Sequence, residues 1–206
     1  MLFTSRERFK KYALAILIGL PTWYVIGILI SFSKEFGTHL HVQGVVDPGK
    51  SIMYAYAAIS LGDVLIGLIS QWFKSRKMAL YLFYAITALG IIWFFNLEQQ
   101  TAATLYLCCA LLGFGVGFWA IFVTMAAEQF GTNIRATVAT TVPNMVRGSL
   151  VLVSLFFTYL QSSVGYLTSG WITGILVMLI GTISLYFTKE TFHKDLNYME
   201  LEEMMP

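Results

Sequence analysis

Charged residues divide this chain into long apolar runs, and each run is about the length that a bilayer requires. Lys11 and Lys34 enclose a run with no formal charge, which predicts a first helix over 12–33. Lys50 and Lys74 enclose a second, broken only by Asp63; Lys77 and Glu98 bound the third, and Glu98 and Glu128 the fourth. The stretch from Arg135 to Lys189 has room for two helices and divides at Gln161-Ser162-Ser163-Val164-Gly165, with Arg147 inside its first part. A helix crosses the hydrocarbon with about 20 apolar residues, so the pattern predicts six spans. The expected fold class is all-α integral membrane, with a basic N-terminal segment over 1–11, a transmembrane domain over 12–188 and a tail over 189–206.

Two of these runs carry polar stripes. In the second, Tyr56, Ser60, Asp63, Gly67 and Ser70 recur at steps of four and three, which is one face of an α-helix. Thr137, Thr140 or Thr141, Asn144 and Arg147 repeat the pattern in the fifth. Lipid rejects such faces, so they must meet protein or water. At about 1.5 Å per residue, Asp63 lies about 15 Å from its helix end near Phe73, and Arg147 about 17 Å from its own near Ala136. Both fall near the midplane, where transporter sites gather.

Asp63, Arg147 and Asn144 are therefore expected to form one coupled site, with Pro143 kinking the fifth helix beside them. The alternative is a static ion pair locking two helices together. Asp63 is the candidate for proton coupling, and Arg147 and Asn144 for binding an anionic or hydroxylated solute, since the guanidinium fork suits a carboxylate. Tyr56 shares the face of Asp63. In the first helix Gly19, Trp23 and Gly27 share a face, with Trp23 either lining a cavity or packing in the core.

Composition agrees with the pattern: 57% of residues are hydrophobic and 12% charged, against about 25% charged in soluble proteins, and mean hydropathy is +0.71. The net charge of +2 is no signature of nucleic-acid binding, because the basic residues sit in short patches between spans. Those patches report topology. With the N-terminus inside, ten of the 13 Lys and Arg are cytoplasmic, Lys34 and Lys50 face out, and Arg147 is in the membrane. Both termini are then cytoplasmic, the expected location is a bacterial inner membrane, and the two sets of three helices enter from opposite sides as an inverted repeat. The polar start MLFTSRERFKKYA has no short apolar region before a cleavage site and does not read as a signal peptide.

Smaller motifs add little chemistry. Gly44 to Ser51 fits the phosphate-loop pattern by letter, but it joins two apolar spans instead of following a strand, so Lys50 and Ser51 read as a helix start. His39 and His41 are too few for a metal site, and adjacent Cys108 and Cys109 read as apolar filler. Gly113, Gly115 and Gly117 allow close helix approach. Neither a nucleophile set nor a paired-carboxylate arrangement is present, so no enzyme, cofactor or metal is expected.

Three stretches carry a resemblance. Gly67 to Lys77 resembles the Gly-x-x-x-Asp-Arg-x-Gly-Arg-Arg/Lys loop of the major facilitator superfamily, with Gln71 and Trp72 in place of its acidic and basic residues. Ala127 to Thr137 resembles that family's Glu…Arg loop, and Lys189 to Leu196 the Pro-Glu-Thr ending of its sugar porters. The chain thus resembles the C-terminal six-helix half of such a twelve-helix transporter, of sugar or organic-acid porter type. The resemblance implies alternating access, a cytoplasmic gate built from Gly67, Arg76, Lys77, Glu128 and Arg135 with Glu128 and Arg135 as its latch, and a substrate between two halves. The expected function is a secondary active transporter half moving a small polar solute, with a proton as a candidate co-substrate. The expected partners are the lipid bilayer and an N-terminal six-helix half or a second copy. A non-transporting membrane scaffold is the alternative.

Overall fold

The computed structural model describes residues 5–200, so 1–4 and 201–206, the outer parts of the expected basic segment and tail, lie outside the described residues. Helix α1 (Arg6–Tyr24) runs on through a π-helical turn, Val25–Ile30, into the short α2 (Ser33–His39). Then come α3 (Pro48–Phe73), α4 (Arg76–Phe95), α5 (Ala102–Val116), α6 (Trp119–Glu128), α7 (Thr132–Gly148), α8 (Leu150–Val164) and α9 (Tyr166–Phe187). Taken together these make six helices long and apolar enough to cross a membrane: Arg6–Ile30, Pro48–Phe73, Arg76–Phe95, Ala102–Glu128, Thr132–Val164 and Tyr166–Phe187.

The boundaries differ from expectation in three places. The first helix begins at Arg6, so Arg6, Arg8, Lys10 and Lys11 lie on helical turns and not in a preceding segment. Pro21 and Pro143 stay inside regular helix. The irregularities fall one to two turns later, at Val25–Ile30 and at Ser149, the one residue between α7 and α8. The fourth span is discontinuous, stopping at Val116 and restarting at Trp119 around Gly117 and Phe118.

Helix ends are capped from the sequence. Asp47 accepts the Gly49 N–H at 2.8 Å with Pro48 in the first turn of α3, so a carboxylate already holds the position a phosphate would need. The phosphate-loop letters are a helix start. Ser75 accepts the Met78 N–H at 3.1 Å to begin α4, and Gly165, at φ +82°, turns α8 into α9.

Helix α1 is central, with Ile18, Tyr24, Val25, Ile28, Leu29 and Ile30 fully buried. The Tyr24 hydroxyl ties it to α9 by donating to the Gly170 carbonyl at 2.7 Å, and the Tyr84 hydroxyl ties α4 to it by donating to the Ile18 carbonyl. Helices α3 and α5 approach until backbone meets backbone. A Cβ on Gly113 would lie 2.2 Å from the Ala55 carbonyl oxygen, and one on Gly117 2.8 Å from Gly62 Cα. The outward faces are apolar, with Leu61, Val64 and Leu68 on α3, Leu152 and Leu155 on α8, and Leu179 and Ile183 on α9 all exposed. Water would reject a surface of that kind.

The polar stripes are partly neutralised along their own helices. Ser60 donates to the Tyr56 carbonyl, Thr140 to Ala136 and Thr141 to Thr137, each at 3.1 Å or less. A hydroxyl bonded back in this way needs no water.

Candidate functional site: a midplane cavity and a basic end

Trp23 of α1, Tyr56 and Asp63 of α3, and Arg147 of α7 line one cavity of about 170 Å³, together with Thr22, Ile26, Ile59, Val116 and Trp119. Four of the five side chains expected at a midplane site are thus brought together from three spans. Asn144 is not among them. Its side-chain amide donates to the Thr140 carbonyl at 2.9 Å, one turn back, because an exposed amide beside Pro143 meets its own helix first.

Asp63 and Arg147 share the cavity without pairing; they form no ion pair within 4 Å. The expected direct contact is absent for a local reason. Asp63 Oδ1 accepts the Ala120 N–H at 3.0 Å, in the first turn of α6, where the interrupted fourth span leaves backbone N–H groups free. The break at Gly117-Phe118 creates a helix N-terminus at mid-depth, and the carboxylate caps it with charge of the favourable sign. Arg147 lies over the Trp23 indole instead, its guanidinium carbon 5.2 Å from the ring centroid. Trp119 stands edge-on to Trp23 at 6.3 Å and 81°.

Two polar atoms of residues that line the cavity are buried from water without partners, the Thr22 hydroxyl and the Trp23 indole N–H. Thr22 is 4% exposed, and an unmet buried donor costs about 1–3 kcal/mol. Thr22 and Trp119 escaped the sequence reading. One was hidden between Pro21 and Trp23 in an apolar run, and the other belongs to the site only because the fourth helix breaks before it.

If capping is the structural role of Asp63, Asp63→Asn leaves the thermal unfolding of the detergent-solubilised protein near that of the parent, because asparagine caps as well as aspartate. Asp63→Ala lowers stability by about 0.5–2 kcal/mol. Equal losses in both variants would assign the effect to charge and not to the cap.

Of the expected gate residues, Arg76, Lys77, Glu128 and Arg135 lie where the start of α1, the α3–α4 turn, the α6–α7 turn and the tail converge into a basic end. Arg76 pairs with Glu128 at 3.2 Å, both side chains largely buried. Thr191 of the tail donates to the other Glu128 oxygen at 2.6 Å, and Arg76 also donates to Ser70 at 3.1 Å and lies over the Phe192 ring. The Glu128–Arg135 latch is therefore not formed. Arg135 spends its fork on the carbonyls of Phe130 and Leu196, at 3.1 and 2.7 Å, while the α4 N-terminus delivers Arg76 to Glu128. Lys77 donates to the carbonyls of Tyr186 and Thr188 at 3.0 and 2.7 Å, capping the C-terminal end of α9 where the dipole favours a cation. Gly67 meets nothing within 4 Å of where a Cβ would sit, so it is not a packing element of this gate.

Glu190 of the tail mirrors Lys77. Its carboxylate accepts the Ser75 hydroxyl and the N–H groups of Arg76 and Lys77 at 3.0 and 3.1 Å, at the start of α4. Partial burial pushes its pKa up, but the Ser75 hydroxyl and the N–H groups of Phe192, Lys77 and Arg76 outweigh burial and hold it below the ordinary carboxylate value.

A larger cavity of about 210 Å³ lies at this end, lined by Lys10, Lys11, Phe187 and Lys189. Its one carboxylate, Glu7, is taken by Lys11 at 3.0 Å. No unpartnered buried side chain lines it, so the distinctive chemistry is in the cavity of Asp63 and Arg147. Among the described residues no three His, Cys, Asp or Glu side chains gather as a metal site would require. The chain matches no protein-family profile and no curated protein sequence.

Proposed function

We propose that this chain is one half of a secondary active transporter of major facilitator type, moving a small polar solute by alternating access with its basic end in the cytoplasm. The observation that carries the reading is the midplane cavity, where a carboxylate, a guanidinium and two indoles from separate spans surround a space halfway along the bundle. A static fold has little reason to place Arg147 there, exposed and without an anion, since charge at that depth is expensive and marks a pathway.

The cavity is walled on one side only. Tyr56, Ser60, Thr140, Asn144 and Arg147 are exposed along α3 and α7, and a second six-helix bundle, an N-terminal half or another copy of this chain, supplies the missing wall. The Arg76–Glu128–Thr191 cluster and the Lys77 and Glu190 caps form the cytoplasmic gate, joined to the bundle by bonds that rocking breaks and remakes. In this reading both termini lie in the cytoplasm of a bacterial cell, and the clustering of basic residues at one end supports it.

Uptake measurements test the proposal. The protein, purified with whatever bundle copurifies after crosslinking between Ser60→Cys and Thr140→Cys faces, is reconstituted into liposomes and offered labelled sugars and organic acids under a pH gradient. Gradient-driven accumulation that a protonophore collapses is the expected result. No gradient-dependent uptake of any solute, from a bundle that assembles and folds, would favour the scaffold.

A further inference from the structure

The balance of donors and acceptors around the midplane cavity points to its ligand, and as a statement about substrate it rests on the transport reading above. We infer that the cavity takes a compact organic carboxylate with a flat or branched apolar body, its carboxyl group on Arg147 and its body against Trp23 and Trp119.

Of the two formal charges in the cavity, one is partly met by the backbone and the other has no counter-charge. Asp63 has turned its oxygen to the Ala120 N–H, whereas Arg147 is exposed, has no carboxylate within 4 Å and rests only on the Trp23 ring face. An indole face positions a guanidinium without neutralising it. The other polar groups of the lining residues, the Thr22 and Tyr56 hydroxyls and the Trp23 indole N–H, are uncharged. Arg147 is thus the strong site for an anion, which its guanidinium binds through charge-assisted hydrogen bonds. An ammonium would lie beside Arg147, whose charge repels it in so small a space. A polyol's hydroxyls can donate and accept here, but they bring no charge to Arg147.

The apolar part follows from the walls and the size. Ile26, Ile59 and Val116 line the space with the two indoles. At about 170 Å³ it slightly exceeds the cavity of about 150 Å³ that accommodates benzene. One six-membered ring bearing a carboxyl group fits against this wall. The planar guanidinium then grips both carboxylate oxygens in parallel, the geometry for which arginine exceeds lysine.

Equilibrium binding to the purified full chain in nanodiscs tests this separately from transport. Labelled benzoate is the probe, displaced in turn by cyclohexanecarboxylate, benzamide, benzylamine and inorganic phosphate. Benzoate is expected to bind, cyclohexanecarboxylate to displace it, and the other three to fail. Arg147→Gln weakens benzoate by about 10- to 100-fold, the worth of a charge-assisted hydrogen-bonded contact, and Arg147→Lys recovers only part because it cannot grip both oxygens. Trp119→Ala weakens benzoate and cyclohexanecarboxylate alike.

Displacement by benzamide or benzylamine as strong as by cyclohexanecarboxylate would overturn the inference, and so would displacement by phosphate alone or the absence of any benzoate binding. If Arg147→Gln fails to fold, the parent's ranking of the displacers decides. Carboxylate-selective binding without uptake sinks the transport reading and spares this one; uptake that carboxylates do not inhibit does the reverse.

Discussion

Arg76→Gln destabilises the bundle by about 3–5 kcal/mol, the cost of leaving one member of a largely buried ion pair without its partner. Glu128 then retains only the Thr191 hydroxyl, at 2.6 Å, and loses the cation held at 3.2 Å. The loss spreads because the same arginine holds Ser70 of α3 and lies over Phe192 of the tail. One substitution thus loosens three segments that close the basic end. Removing both charges together, Arg76→Met with Glu128→Leu, recovers most of the stability, since a buried pair is worth little more than apolar side chains of similar volume. Denaturant unfolding of the three proteins in one detergent checks this. A double variant as unstable as Arg76→Gln would show that the pair contributes more than the avoidance of an unpaired charge. Arg135→Gln, which removes a side chain bonded to two carbonyls and to no carboxylate, costs less than Arg76→Gln, which separates this network from a Glu128–Arg135 latch.

Gly113→Ala costs about 3 kcal/mol, at the upper end of overpacking penalties. A Cβ there meets the Ala55 carbonyl oxygen at 2.2 Å and Ala55 Cα at 2.7 Å. Backbone atoms cannot rotate aside as a leucine tip can, so α3 and α5 must separate. Separation also opens the Gly62–Gly117 contact one turn on, and with it the break that presents Ala120 to Asp63. Folding yield falls and the cap loosens together. Gly67→Ala is the control on the same helix as Gly62. With nothing within 4 Å of its Cβ, it is neutral or stabilising by about 0.5–1 kcal/mol. Thermal unfolding and size-exclusion profiles in one detergent distinguish the two; equal behaviour would mean that α3 and α5 are not held at backbone contact.

Much of the architecture was legible along the chain, because charge spacing and the thickness of a bilayer leave few ways to fold a sequence this apolar. The helix limits are set by residues that act locally: Asp47, Ser75, Thr101 and Gly165 all start or stop helices through their own side chains or backbone freedom. The convergence of Trp23, Tyr56, Asp63 and Arg147 was also foreshadowed, since a polar face at mid-depth has to turn inward. Who pairs with whom was not. Asp63 found a backbone N–H because the fourth span breaks at Gly117, and nothing in a run of apolar letters marks that break. Glu128 found Arg76 because α4 begins beside the end of α6, although Arg135 is nearer in sequence.

Taken alone, the order of residues determines six apolar helices long enough for a membrane, the polar stripes on two of them, and the crowding of basic groups toward one end; each is a property of single segments, set by hydrogen bonding within a helix and by the cost of exposing charge to lipid. Only the packed structure decides that Asp63 caps a helix while Arg147 stays without an anion, and that Arg76 takes Glu128. Those outcomes depend on distances of a few ångströms between segments far apart in the chain, and backbone contacts such as Gly113 on Ala55 set those distances.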